Sequence, residues 1–260
     1  VNRLRFIDDE ARPGALNMAL DYYLANNKIS DEFLLTLRLY RWDKPTLSCG
    51  FHQRIEQRVD LAKCQEKGVA IVRRPTGGRE LLHDGDLSFS ISGRNLKMES
   101  LAKETLHKAS MVIYGGLKEM GINAQIMSRA KKTTGLNSGP CLAVTSEFEI
   151  ASDGRKIVPL AQRIFRDSVL VHGSIPLTKT KIATASLLKI GNPELIQKQI
   201  ESYATDLEQL TGNSPNIERL KLELVKVFAN IFQGCVEKIA FAPDELSKAS
   251  DTSNEWQIAL

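Results

Sequence analysis

Arg73-Arg74-Pro75-Thr76-Gly77-Gly78-Arg79-Glu80-Leu81-Leu82-His83-Asp84-Gly85-Asp86-Leu87-Ser88-Phe89-Ser90-Ile91-Ser92 is the stretch on which the reading of this chain turns. The apolar run at residues 69–72 leads into a Pro-Thr-Gly-Gly break. Residues 86–92 then alternate polar and apolar, as a half-buried strand does. The pattern predicts strand, glycine turn, strand, turn, strand. A glycine pair suits a backbone that takes positive φ, or one that a ligand approaches more closely than a Cβ allows. A cationic pair before that turn and a histidine after it are expected to face one opening.

Around this stretch the composition bounds the answer. A chain of 260 residues, 42% hydrophobic, is long enough to bury a full core as one large domain or a domain with a small appendage. No apolar run approaches the roughly 20 residues that span a bilayer, and no signal-peptide pattern opens the sequence, so a cytoplasmic protein without membrane partners is expected. The four cysteines, Cys49, Cys64, Cys141 and Cys235, lie far apart without a CxxC, which suggests no metal site and no disulfide framework. Each is expected to be a buried thiol. A net charge of +4, spread along the chain, argues against a nucleic-acid partner and suits acidic protein partners.

Outward from the signature, residues 4–7 read as a strand, residues 14–24 as a helix opened by Pro13, and residues 33–42 as a strand. Pro45-Thr46-Leu47-Ser48-Cys49-Gly50-Phe51-His52-Gln53 reads as another strand. A short helix at residues 57–67 ends at Gly68, and a longer one at residues 100–120 ends at Gly121. Residues 128–140 are polar, basic and broken by glycines, so a mobile loop is expected. Strands at residues 142–150 and 156–165 flank the Asp153-Gly154 turn, and a third covers residues 168–177. After that the pattern is helical, with a long amphipathic helix beginning at Pro215, and the polar tail from Ser247 is expected to fray. Strands and helices mix without strict alternation, and no P-loop occurs, which disfavours a doubly wound nucleotide-binding fold.

Read whole, the signature resembles that of the lipoate-protein ligase and octanoyltransferase family: Arg-Arg-x-Ser/Thr-Gly-Gly, then a histidine and a serine-rich strand. Residues 14–21 are similar to the family's first helix, and residues 45–53 to its Pro-x-x-Ser-x-Gly-x-x-Gln strand. The resemblance implies that Arg74, Thr76, Gly77, Gly78, Arg79 and His83 bind the acyl substrate. Arg79 stands where the ATP-using ligases have a third glycine, which looks more like the octanoyltransferases that take their acyl group from a carrier protein. The run from Cys141 to Ile150, followed by Gly154-Arg155-Lys156-Ile157-Val158-Pro159-Leu160-Ala161-Gln162, resembles the block Cys…Glu…Gly-Arg-Lys-x-x-Gly-Ser-Ala-Gln of the cysteine-dependent octanoyltransferases. By that resemblance Cys141 is the acyl-accepting nucleophile. Lys156 is the cation that favours its thiolate or holds the developing oxyanion, a choice the sequence leaves open. Pro159-Leu160 replaces the family's Gly-Ser. If that strand borders the acyl tunnel, either Leu160 shortens the acyl group accepted or Pro159 introduces a bulge.

The resemblance implies an α+β fold, a mixed β-sheet flanked by helices like the catalytic domain of biotin and lipoate ligases. It would occupy residues 1–178, with a small helical C-terminal portion at 179–260 packed on the same domain. The activity implied is transfer of octanoate from acyl carrier protein to a lysine of an apo lipoyl domain, such as the glycine-cleavage H protein, with no cofactor and no metal. Three alternatives stay open: an ATP-dependent lipoate or octanoate ligase, a lipoyl-domain amidotransferase, and a catalytically idle acyl-binding protein. The basic loop at Arg129, Lys131 and Lys132 is expected to dock the carrier.

Overall fold

The computed structural model describes residues 2–26, 33–94, 99–127 and 148–259. In chain order its elements begin with β1 (Asn2–Arg12), α1 (Gly14–Asn26), β2 (Leu35–Trp42) and β3 (Thr46–Cys49). The short helices α2 (Ile55–Arg58) and α3 (Leu61–Glu66) lead to β4 (Ala70–Arg73), β5 (Leu81–His83) and β6 (Asp86–Arg94). Next come α4 (Glu99–Glu119), β7 (Gln125–Ile126), β8 (Ile150–Ser152), β9 (Arg155–Val158), β10 (Leu160–Ile164) and β11 (Ser168–Pro176). The remainder is α5 (Pro193–Tyr203), α6 (Leu207–Thr211), α7 (Ile217–Phe232), β12 (Gly234–Lys238) and α8 (Pro243–Asp251).

The main sheet runs β10-β11-β6-β2-β1-β12, with β1 parallel to both β2 and β12 and the other pairings antiparallel. Two three-stranded sheets, β4-β3-β5 and β7-β8-β9, complete it. This is the α+β arrangement, a mixed β-sheet with helices, that the family resemblance implies.

Strand alternation sorts the two faces of the main sheet. Leu35, Leu37 and Leu39 of β2, Leu87, Phe89 and Ile91 of β6, and Val169, Val171 and Ile175 of β11 share one buried cluster with Ile113 and Leu117 of α4 and Leu224 and Phe228 of α7. Each fully buried Leu, Ile or Phe side chain there stabilises the fold by about 1.5–3 kcal/mol. The intervening residues Thr36, Arg38, Tyr40, Ser88, Ser90, Ser92, His172 and Ser174 are polar or amphipathic and equally buried. Arg38, Tyr40, Ser90 and His172 of this second face all bond to residues of α1. A sheet with one oily and one hydrogen-bonding face has its register set twice, by core packing and by polar partners.

Several elements depart from the sequence reading. The strand expected at residues 156–165 is two strands. Pro159 has no N–H for a ladder, so β9 pairs with β8 in the small sheet, whereas β10 crosses to pair with β11 in the main one. The helix expected at residues 57–67 is split at Asp60, whose carboxylate accepts the Lys63 N–H and caps α3. The C-terminal portion is not wholly helical: β12 adds an edge to the main sheet beside β1, pairing Asn2 with Gly234 and Phe6 with Lys238. The tail does not fray. Ala249 of α8 and Trp256 are buried against α1, and the Ile258 N–H donates to the Ile71 carbonyl. Cys49 and Cys64 are buried as expected, whereas Cys235 on β12 is exposed. The Asp153-Gly154 turn is as predicted, with φ of 48° and 77°. No described helix is long and apolar enough to cross a membrane.

Candidate active site

The signature folds as β4, β5 and β6 with two glycine-containing turns between them. Its first turn is held from inside by Arg74. That guanidinium is buried and donates to the carbonyls of Ser48 (2.9 Å), Gly77 (2.8 and 3.1 Å) and Arg79 (2.7 Å). A planar fork of donors suits three carbonyls converging from a turn, which a lysine could not satisfy. Gly78 takes φ of +97°, and its carbonyl passes so close to Gly50 that a Cβ on Gly50 would overlap it. Arg73 turns the other way and donates to the carbonyls of Gly50, Phe51 and Gln53. The arginine pair therefore organises two loops.

A cleft opens between the signature, the polar face of the main sheet and the β9–β10 junction. Met18, Trp42 and Leu81 form its apolar walls, and Ser48, Arg74, His83 and His172 its polar ones. Two hydrogen-bonded chains border it. In the first, Ser48 Oγ meets His83 Nε2 at 2.9 Å, and His83 Nδ1 meets Asp86 Oδ2 at 2.8 Å. The Ser88 and Ser174 hydroxyls also donate to Asp86, at 2.9 and 2.7 Å. Burial pushes the Asp86 carboxyl up, but the charge and hydrogen bond of His83 and the two serines outweigh it and hold it below the usual carboxylate range. His83 stacks on Trp42 with centroids 4.0 Å apart, and the Trp42 indole N–H donates to Ser88.

In the second chain, Thr76 Oγ1 meets His172 Nε2 at 2.6 Å, and His172 Nδ1 meets Asp21 Oδ2 at 3.1 Å. Asp21 also accepts from Arg38 (2.8 Å), Ser90 (2.8 Å) and Tyr40 (2.9 Å). Burial pushes the Asp21 carboxyl up, yet the His172 bond, the Arg38 charge and the Ser90 hydroxyl hold it below its ordinary value. Burial lowers the His172 pKa against the opposing pull of Asp21, so the ring is neutral at neutral pH. With Nδ1–H committed to Asp21, Nε2 accepts the Thr76 hydroxyl proton. His172 is a residue of this site that the sequence does not mark. Its partners are 151 and 96 residues away in sequence, so no local signal marks it.

Lys156 is buried on β9, and its Nζ lies 2.9 Å from both carboxylate oxygens of Glu149. The residues three to five places further on, Pro159, Leu160 and Ala161, line the cleft. Cys141 and the basic loop at Arg129, Lys131 and Lys132 lie outside the described residues. Of the cysteines described, Cys49 is pushed up to about 12 by burial, with Glu80 adding to it. Cys64 is pushed up to about 11, also by burial. Both are protonated packing thiols at neutral pH. The signature thus brings Arg74 and His83 together at one cleft, with Thr76 buried behind it on His172 and Gly77 and Gly78 in the adjoining turn. Arg79 is half-buried, and its carbonyl is one of those Arg74 holds. Among the described residues no cluster of histidine, cysteine and carboxylate side chains is arranged to hold a metal.

The hydrogen-bonded turn, the polar-walled cleft and the buried lysine on the small antiparallel sheet stand in a catalytic domain of the lipoyl-attachment class, as similarity to known proteins shows. The sequence matches the model of the lipoyl protein ligase A/B catalytic domain over residues 13–229, and the chain belongs to that family. Among curated relatives, it is 40% identical over 248 residues to the octanoyltransferase LipM of Carboxydothermus hydrogenoformans, covering 94% of this chain and 90% of that one. It is 32% identical over 268 residues to LipM of Geobacillus kaustophilus, covering 97% and 96%. Among solved structures, the bipartite lipoate protein ligase of Thermoplasma acidophilum superposes with a TM-score of 0.81 at 18% identity, covering 98% of this chain and 93% of that one. A lipoate-protein ligase A bound with ATP gives 0.79 at 20% identity, covering 97% and 95%. These two show a shared fold.

Proposed function

We propose that this protein is an octanoyltransferase of lipoate biosynthesis, moving an octanoyl group from acyl carrier protein through Cys141 to a lysine of an apo lipoyl domain in the cytoplasm. Family membership and similarity to LipM octanoyltransferases along nearly the whole chain support the activity. The observation that carries the assignment of residues is Lys156. A buried ammonium, held by Glu149, sits on β9, and the residues three to five places further on line the cleft. Substrate-binding roles go to the signature turn, with Arg74 shaping it from within, His83 lining the cleft and Thr76 bonded to the cleft residue His172.

In the first step the Cys141 thiolate attacks the carbonyl carbon of the octanoyl thioester. The C–S bond to the carrier's pantetheine breaks, and the departing thiolate takes up a proton. One thioester replaces another at little free-energy change. A free thiol has a pKa of about 8.5, and a neighbouring ammonium such as Lys156 raises its thiolate fraction at neutral pH. In the second step the neutral amine of the acceptor lysine attacks the acyl-enzyme and expels the Cys141 thiolate. The amine proton is released, and the amide formed is more stable than the thioester. Neither step uses ATP or another cofactor. The glycine-cleavage H protein is the acceptor we favour.

The test is intact-mass measurement after mixing the protein with octanoyl-acyl carrier protein without ATP, comparing wild type with Cys141→Ala. The expected result is an adduct of about 126 Da on the wild type alone, labile to hydroxylamine as a thioester is. No adduct on the wild type, with ATP-dependent modification of a lipoyl domain by both proteins, would establish a ligase instead.

A further inference from the structure

Two stretches of chain far apart in sequence line the cleft: the signature after β4, and the junction of β9 with β10. Arg73 and Arg74 hold the signature turn from its own side. A third arginine reaches it from the other. Arg163 on β10 donates from Nη1 to the Pro75 carbonyl at 2.9 Å, 88 residues away in sequence. Ala161, a cleft residue, pairs with His172, and Arg163 pairs with Leu170, two residues further along each strand. Strand alternation therefore puts the Arg163 side chain on the same face of β10 as Ala161.

The Arg163 guanidinium also touches two rings. Its carbon lies 4.3 Å from the Phe51 centroid and 4.9 Å from that of Phe165, both within cation–π reach. Phe51 is itself locked to the signature: its N–H donates to the Thr76 carbonyl at 2.8 Å, and its carbonyl accepts from Arg73 at 2.7 Å. Phe165 stands just past β10, with its N–H on the Ser168 carbonyl. One side chain thus joins the signature turn, the loop at Phe51 and β10. A planar group that donates at its edge while its face meets aromatic rings is what arginine supplies and lysine does not.

We propose that Arg163 is a positioning residue: it latches β10 to the signature turn and fixes the two sides of the cleft at the spacing an acyl chain needs. The proposal rests on the acyltransferase reading for its substrate. Walls that grip an acyl tail do so in the ground state and the transition state alike, so loosening them raises KM and leaves kcat in place. A misplacement of about 1 Å can cost about 100-fold. Because Arg73 and Arg74 still hold the turn, the expected loss without Arg163 is smaller, about tenfold in KM.

The experiment compares wild type and Arg163→Ala in steady-state transfer from octanoyl-pantetheine to a lipoyl domain, with and without added methylguanidinium. Arg163→Ala should raise KM about tenfold, keep kcat within about twofold, and recover toward wild type as methylguanidinium takes the place of the missing side chain. A KM within about twofold of wild type, a fall in kcat alone, or a loss that methylguanidinium does not reverse overturns the proposal. Hydrogen exchange at the Phe51 amide reads the latch without any substrate, because that amide is held by the Thr76 carbonyl beside the latched Pro75. Its exchange should quicken about tenfold in Arg163→Ala, and an unchanged rate overturns the latch. If the wild type transfers nothing while the Phe51 amide responds, the acyltransferase reading fails and the latch stands.

Discussion

Asp21→Asn tests the second hydrogen-bonded chain at its root. Asp21 is fully buried and accepts four hydrogen bonds, from Arg38 and Ser90 at Oδ1 and from Tyr40 and His172 at Oδ2. Asparagine keeps the shape but turns one acceptor into an NH2 donor. At the Oδ1 position that NH2 would face Arg38, which has no acceptor to offer. At the Oδ2 position it faces the Tyr40 hydroxyl, which can rotate, and His172, which can shift its proton to Nε2. The second orientation is therefore favoured, and the His172–Thr76 bond reverses direction.

Removing one partner of a buried ion pair costs about 3–5 kcal/mol. Arg38 retains Asp9 at 2.8 Å and Asn17 Oδ1 at 2.6 Å, so the lower end, about 3 kcal/mol, applies. With a urea slope of about 3 kcal/mol/M, the unfolding midpoint, followed by tryptophan fluorescence, drops by about 1 M. Nitrogen chemical shifts of the histidines should report His172 as the Nδ1–H tautomer in wild type and Nε2–H in the variant. The wild type's stability should also fall with pH. A histidine with a lowered folded pKa contributes stability above its unfolded pKa of about 6.5 and loses it as pH falls from there through the folded value. Losing Asp21 removes the groups that pull the His172 pKa up, so in Asp21→Asn that window extends to lower pH. A loss below about 1 kcal/mol, or an unchanged His172 tautomer, refutes the reasoning.

Two further outcomes are expected. Arg74→Lys should destabilise the protein by about 2–4 kcal/mol, because an ammonium cannot span the carbonyls of Ser48, Gly77 and Arg79, and thermal unfolding of the variant checks this. Brief alkylation of the native protein at neutral pH, followed by peptide mapping, should label Cys235 and leave Cys49 and Cys64 unmodified, since both buried thiols are raised far above neutrality.

Much of this molecule is decided by local chemistry and is legible in the order of residues alone. The alternation at residues 86–92 specifies a strand with two different faces, the glycine turns specify its neighbours, and Asp153-Gly154 specifies a hairpin. These depend on backbone preferences and on period, both of which are properties of short segments. The motifs around Arg74 and Lys156 are likewise contiguous, so family membership could be read before any coordinate was known.

Tertiary structure alone decided what those residues do. Arg74 is expected from sequence to face an opening and bind the acyl substrate, yet its guanidinium is a buried clamp on backbone carbonyls, because the turn folds back over it. His172 and Asp21 form a pair only because β11 and α1 meet across the main sheet. Pro159 looks like a minor departure, but with no N–H to offer it divides one expected strand between two sheets and leaves Leu160 packed against the main core. Contacts between residues more than 100 positions apart depend on how layers stack. No short segment encodes that stacking, so burial, charge pairing and the dimensions of the cleft emerge only when the chain is folded.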